Sequence, residues 1–368
     1  MSAEASQNNP RIFVTDCEGP ISKNDNAFEL TSSFVPDGDS FFALVSKYDD
    51  VLADVVKKPG YKAGDTLRLI LPFLKAFGAT DKKMRDFSAR NVLLVPGAKD
   101  TLTFVRQLMP SFIVSTSYEQ YISSLCKLTS FPFENTYCTR LNIDKYDIGK
   151  EETKRLRELR REMAALPMIE IPENASSVSD FSRRDRETIR RLDEIFWQTI
   201  PGMESGRMLR EVNPVGGSEK ARAVQDIVEK LGCTLDRVMY VGDSITDVQP
   251  LRLVKESGGL SVSFNGNDYA VRESAVAVLS GDATVTSVLA EAFSRHGKEG
   301  VFSLVEEWGP SGLKKYSVSP ELRERMSMLF PDGFPQVEKV TEDNLERLKM
   351  ESSVFRKTVR GEAIGKLG

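Results

Sequence analysis

The run 11–20, RIFVTDCEGP, is an apolar, β-branched stretch that breaks off in two carboxylates, Asp16 and Glu18, and then Gly19 and Pro20. The apolar residues read as a buried strand and the Gly-Pro pair as the turn that ends it. Along an extended backbone, residues two apart point the same way, so both acids are expected to project from one strand end. Carboxylates held that close repel each other, and a divalent cation is the usual compensation. A candidate metal-dependent site therefore lies within the first twenty residues.

The rest of the chain narrows the chemistry. A length of 368 residues allows two domains, or one core with large insertions. A formal net charge of −4 supplies no basic field for nucleic acid or an anionic membrane. No apolar run approaches a membrane span, and the first ten residues lack a signal-peptide core. Cys17, Cys126, Cys138 and Cys233 are scattered and form no C-x-x-C pair. That argues against a disulfide framework or a zinc site and fits a reducing, cytoplasmic setting. His296 is the single histidine, which nearly excludes a His-based triad. The chemistry is left to Asp, Glu, Ser, Lys and backbone groups.

Apolar strands alternate with helices over most of the sequence. Strands are expected near 11–15, 112–114, 237–241, 260–264 and 275–279, and this alternation predicts a doubly wound parallel α/β sheet. Residues 1–24, 93–140 and 213–297 form its expected core. Residues 25–92 read as helical, with Pro72 interrupting the apolar spacing of Leu67, Ile70, Leu71 and Leu74, so a kink or restart is expected there. Residues 141–212 read as a charged helical insertion in which Phe196 and Trp197 dock a helix. Residues 298–368 read as a helical C-terminal extension.

Three polar clusters follow apolar strands directly: Asp16 with Glu18, Ser115 with Thr116, and Asp243 with Asp247. Strand C-terminal ends in an open α/β sheet converge on one crevice, where ligands bind. Lys220 opens a further helix, after Gly216-Gly217-Ser218, which is expected to cap it. A cation is misplaced at a helix start unless an anion lies nearby. Carboxylates on two strand ends can hold Mg²⁺, which takes few protein oxygens and keeps room for water and phosphate. Ser115 and Lys220 can hold phosphate oxygens, and Asp16 can attack phosphorus as an anionic nucleophile. Thr116 and Ser117 read as turn residues.

In chain order, these three clusters and Lys220 resemble the four motifs of the haloacid-dehalogenase-like (HAD) phosphohydrolase superfamily. The run 241–247 (VGDSITD) followed by 260–266 (LSVSFNG) is most similar to its phosphoserine-phosphatase-like branch. The resemblance covers about 11–20, 93–128 and 214–290. It implies a Rossmann-like HAD sheet with a helical cap at 25–92, and Mg²⁺-dependent hydrolysis of a small phosphomonoester through an aspartyl-phosphate. By the same resemblance Asp16 is the nucleophile and a metal ligand. Glu18 is the general acid–base, with its carbonyl also on the metal. Ser115 and Lys220 bind the phosphoryl group and Asp243 ligates Mg²⁺. Asp247 orients water or steadies Lys220, and Asn265, a supporting residue, lies in a segment like one that lines the pocket in that branch. Two positions depart from the pattern: Glu18 stands where Asp is usual, and Pro20 where Thr or Val is usual. Those departures favour one alternative, a catalytically weak binding or regulatory protein. Another is a phosphotransferase or a phosphonatase, the last needing a Schiff-base lysine such as Lys57 or Lys58.

Overall fold

The computed structural model describes residues 9–365. Seven strands form one sheet: β1 Ile12–Thr15, β2 Ser111–Tyr118, β3 Thr136–Thr139, β4 Val238–Gly242, β5 Leu260–Phe264, β6 Val276–Leu279 and β7 Gln336–Lys339. Their order across the sheet is β3-β2-β1-β4-β5-β6-β7. The first six pair in parallel, and β7 runs antiparallel to β6. The fold is α/β with a Rossmann-like strand order. The chain builds outward from β1 to β3, returns to the centre at β4, and builds outward the other way. The gap between β1 and β4 is thus the switch point, where open α/β sheets bind their ligands.

Strand alternation explains the two faces. On β1, Phe13 joins one apolar layer with Met239 and Val262, while Ile12 and Val14 join the opposite layer with Tyr240 and Val224. Nearly continuous apolar strands are what a sheet covered on both sides requires.

Two local expectations are corrected and a third is narrowed. Strand β2 is longer than its apolar run, so Ser115, Thr116 and Ser117 lie inside it rather than beyond its end. Late pairing of Tyr118 with Thr139 across an irregular register extends it. The C-terminal extension is not wholly helical, since it supplies β7. The helix Thr66–Ala76 passes through Pro72 without restarting. Its apolar face is buried, and this packing holds it together across the missing N–H bond.

Residues 27–84 and residues from 141–212 share one separate apolar cluster. Tyr48 stacks on Phe196 with ring centroids 5.8 Å apart, and Phe73 meets Phe196 edge-on at 6.2 Å. Trp197 Nε1 donates to the Tyr48 hydroxyl at 2.8 Å, and that hydroxyl donates to Asp193. Two segments far apart in sequence thereby make a single helical body. The Phe196→Ala variant is expected to lose about 3–5 kcal/mol of stability, as buried Phe truncations do. Urea unfolding of the variant against the wild type measures the loss, and a cost near zero would show that the two segments do not depend on this contact.

Candidate active site

Asp16 follows the central strand and is tied to its neighbour by its own N–H, which donates to the Val241 carbonyl at 2.8 Å. Its side chain has two partners. Oδ1 accepts from the Cys17 N–H at 2.6 Å, and Oδ2 lies 2.7 Å from Lys220 Nζ. Lys220, wholly buried, sits in the first turn of the helix Ser218–Lys230. That helix starts at Gly217, whose N–H donates to the Thr246 carbonyl at 3.0 Å, pinning it to the loop after β4. No side chain caps this helix, contrary to the expectation for the Gly-Gly-Ser run.

Asp247 holds this arrangement from below. Its Oδ1 accepts from Lys220 Nζ and from the Tyr240 hydroxyl, each at 2.7 Å. Its Oδ2 accepts from the N–H groups of Asp243 and Ser244 at 3.1 and 3.2 Å. Burial alone would push the Asp247 carboxyl up, but the Lys220 ammonium outweighs it and holds it below the usual range. Lys220 is in turn kept charged by Asp16 and Asp247 against the cost of burial. Asp16 comes out differently. Burial, then repulsion from Asp247, pushes its carboxyl up to about 8 despite the pull of Lys220.

One oxygen each from Asp16, Asp243 and Asp247 falls within a 4.8 Å cluster. Each Asp247 oxygen takes at least two protein donors, whereas each Asp16 oxygen takes one, so Asp16 and Asp243 are the pair better placed to hold a cation. Hard carboxylate oxygens from two strand ends fit Mg²⁺ in type and number. Gly19 fits the same crowding. It lies at φ +105°, and a Cβ there would meet Asp243 Oδ2 at 2.2 Å. Only glycine lets the loop after β1 pass so close to that carboxylate.

A single pocket over these strand ends is lined by Asp16, Glu18, Ser115, Thr116, Ser117 and Asp243, and from the helical body by Ala27, Phe42, Ser46, Asp49, Asp50, Thr66 and Leu67. Glu18 does not point with Asp16 into the carboxylate cluster. Its Oε1 accepts from the Asn26 N–H at 2.8 Å. Burial, then the charge of Asp25, pushes the Glu18 carboxyl well above the ordinary range, although Arg360 and the Asn26 N–H pull the other way. Ser115 Oγ accepts from the Ser117 N–H at 3.2 Å.

Sequence reasoning placed Asn265 in the pocket, and the structure corrects this. Asn265 exchanges two hydrogen bonds with the Ser280 backbone, at 2.8 and 2.9 Å, and does not line the pocket. Its backbone, at φ +50°, bends the chain after β5, and the amide locks that bend. Lys57 and Lys58 also lie outside the pocket, with Lys58 Nζ over the Trp197 ring at 4.3 Å.

Three pocket features were missed. Thr116 reads as a turn residue, yet its Oγ1 is buried without a partner among the described residues, at a pocket wall. Arg356 and Arg360, on the helix Leu345–Arg360, line the pocket and ion-pair with Asp243. Nothing in the sequence separates these two from a solvated basic face. Among the described residues, no helix is long and apolar enough to cross a membrane.

No family model and no curated protein matches the chain. Among solved structures, phosphoserine phosphatase in apo form is 10% identical with a TM-score of 0.45, over 74% of this chain and 96% of that one. A phospho-aspartyl intermediate analogue of phosphoserine phosphatase is 12% identical with a TM-score of 0.45, over 77% and 99%. Likenesses that distant carry no argument about activity. The structure of gene product AF1437 from Archaeoglobus fulgidus is 25% identical with a TM-score of 0.79, over 98% of this chain and 99% of that one. The architecture, including both helical segments and the C-terminal strand and helix, is therefore shared over nearly the full length of both chains.

Proposed function

We propose that this chain is a divalent-cation-dependent phosphohydrolase of HAD type, acting on a small phosphomonoester. The observation that carries the reading is Asp16: a carboxylate at the switch point of the sheet, paired with a buried lysine, beside a second strand-end carboxylate and below a pocket lined by hydroxyls. The helical body serves as the cap that covers this pocket and selects the substrate. Asp16 and Asp243 would hold Mg²⁺, which supplies positive charge to the phosphoryl oxygens when bound.

The chain's own groups divide the remaining work. An Asp16 oxygen attacks phosphorus, the bond from phosphorus to the leaving oxygen breaks, and Glu18 gives that oxygen its proton. Because Asn26 N–H occupies Oε1, the transferable proton sits on Oε2. Water then attacks the phosphorus of the aspartyl-phosphate, Glu18 takes the water's proton, and Asp16 leaves as carboxylate with inorganic phosphate released. Lys220 offsets the equatorial charge, Asp247 positions Lys220, and the Ser115 and Thr116 hydroxyls face the phosphoryl oxygens.

The first test is release of phosphate from p-nitrophenyl phosphate. Release that depends on Mg²⁺ and stops with chelator is expected, and release indifferent to chelator would remove the cation from the reading. The Glu18 role has its own signature. Its first step needs the protonated acid, and burial raises its pKa, so the protonated form persists toward neutrality. The rate of the first step should therefore fall on the alkaline side as pH rises through that raised value, while its acid limb belongs to Asp16, which must lose its proton to attack. Burst-phase kinetics across pH, with Glu18→Gln slower by about 10²–10⁴ and without the alkaline limb, would check it.

A further inference from the structure

The Leu345–Arg360 helix reaches the site from the far end of the chain. Ser352 Oγ donates to the Gly266 carbonyl at 2.6 Å and anchors it beside β5. One turn on, Arg356 Nη1 donates to the Asp243 carbonyl at 3.1 Å and pairs with Asp243 Oδ2. One turn further, Arg360 Nη1 lies 3.0 Å from the same Oδ2, while its Nε donates to the Lys23 carbonyl at 3.1 Å and its Nη2 to the Asn24 carbonyl. The side chains are only 3% and 5% exposed. Arg356 Nε has no partner among the described residues. Asp25 and Glu18 are the other acids whose charges these guanidinium groups feel.

The ion pairs set Lys220 against Asp16 and Asp247, and Arg356 and Arg360 together against Asp243. Two of the positive charges rest on the one carboxylate that, with Asp16, is better placed to hold a divalent cation. We propose that Arg356 and Arg360 compete with the divalent cation for Asp243, so that cation binding and docking of the Leu345–Arg360 helix oppose each other. This rests on the cation site in the proposed function. It makes the two arginines positioning residues that set cation affinity. Whichever Asp243 oxygen the cation takes, two guanidinium charges on that carboxylate repel it. The coupling is reciprocal, because whatever weakens cation binding is weakened by the cation.

Mn²⁺ binding to the full chain, followed by electron paramagnetic resonance, tests this without any turnover. The Arg356→Gln/Arg360→Gln variant is expected to bind Mn²⁺ about tenfold tighter or more, since two buried like charges are gone. The Arg356→Lys/Arg360→Lys variant keeps the charges and should stay near the wild type. Equal or weaker binding by the Gln variant overturns the proposal. Hydrogen exchange of the wild type reads the other side of the linkage and needs no variant. Saturating Mg²⁺ should lower the protection of amides 345–360, and unchanged protection overturns the proposal as well. If no protein shows Mn²⁺ binding that Asp243→Asn abolishes, the cation site fails, and the proposed function with it. If such binding exists but is indifferent to the arginines, only the competition fails.

Discussion

The Asp16→Asn variant is expected to lose phosphate release from p-nitrophenyl phosphate by about three orders of magnitude or more while remaining folded. The change is nearly isosteric, so packing after β1 is undisturbed and the Cys17 N–H keeps an acceptor. What disappears is the anionic oxygen that attacks phosphorus. Lys220 loses one of its two partners but keeps Asp247 at 2.7 Å. The stability cost should therefore be modest and the catalytic cost large. Phosphate release and a urea midpoint measured on the same preparation separate the two. A variant that retains wild-type turnover would remove Asp16 as nucleophile, whatever the fate of the fold.

A large effect on stability is also expected at Lys220. The Lys220→Ala variant leaves Asp16 and Asp247 buried without their ammonium, a loss of the kind that costs about 3–5 kcal/mol. The cost should depend on pH in a definite direction. In the wild type the folded pKa of Asp247 is lowered, so its contribution is present above the unfolded value and lost as pH falls. In the variant both carboxyls lack their cation, their folded pKa values rise, and the native state binds protons more readily than the unfolded chain. The variant's stability then falls as pH rises, so its deficit against the wild type is smaller at pH 5 than at pH 8. Urea unfolding of both proteins at the two pH values provides the check. A deficit that does not grow with pH would mean that the two carboxylates have found other partners.

Much of this was legible in the sequence because strand ends are local signals. Asp16, Ser115 and Asp243 could be named from apolar runs that stop at polar residues, and Lys220 from a helix start, although β2 runs on past Ser115. The illegible parts are those that local pattern does not encode. β3 is a four-residue edge strand of mixed polarity, Thr-Tyr-Cys-Thr, and β7 is Gln-Val-Glu-Lys, mostly charged and polar. Both exist because a neighbouring strand offers them hydrogen bonds. The charged 141–212 segment read as a separate insertion. Its apolar residues, Phe196 among them, complete the core of residues 27–84, a partnership set by tertiary packing alone. Asn265 was placed in the pocket on resemblance, but its amide is spent on Ser280. Arg356 and Arg360 meet Asp243 across more than a hundred residues of chain, and no spacing rule reaches that far.

The antiparallel strand at the sheet's edge bears on how the chain survives its own synthesis. β6, Val276–Leu279, is wholly buried and apolar, and it is made well before the residues that pair with it. Until β7 exists, the outer edge of β6 offers unpaired N–H and C=O groups on a sticky strand, the kind of edge that recruits other chains. β7 then covers that edge. It is itself a poor template, being four residues long, with Glu338 and Lys339 held in ion pairs to Arg347 and Glu306. Protection of this sheet from self-association is thus delivered late, by residues that follow the whole parallel core in the order of translation.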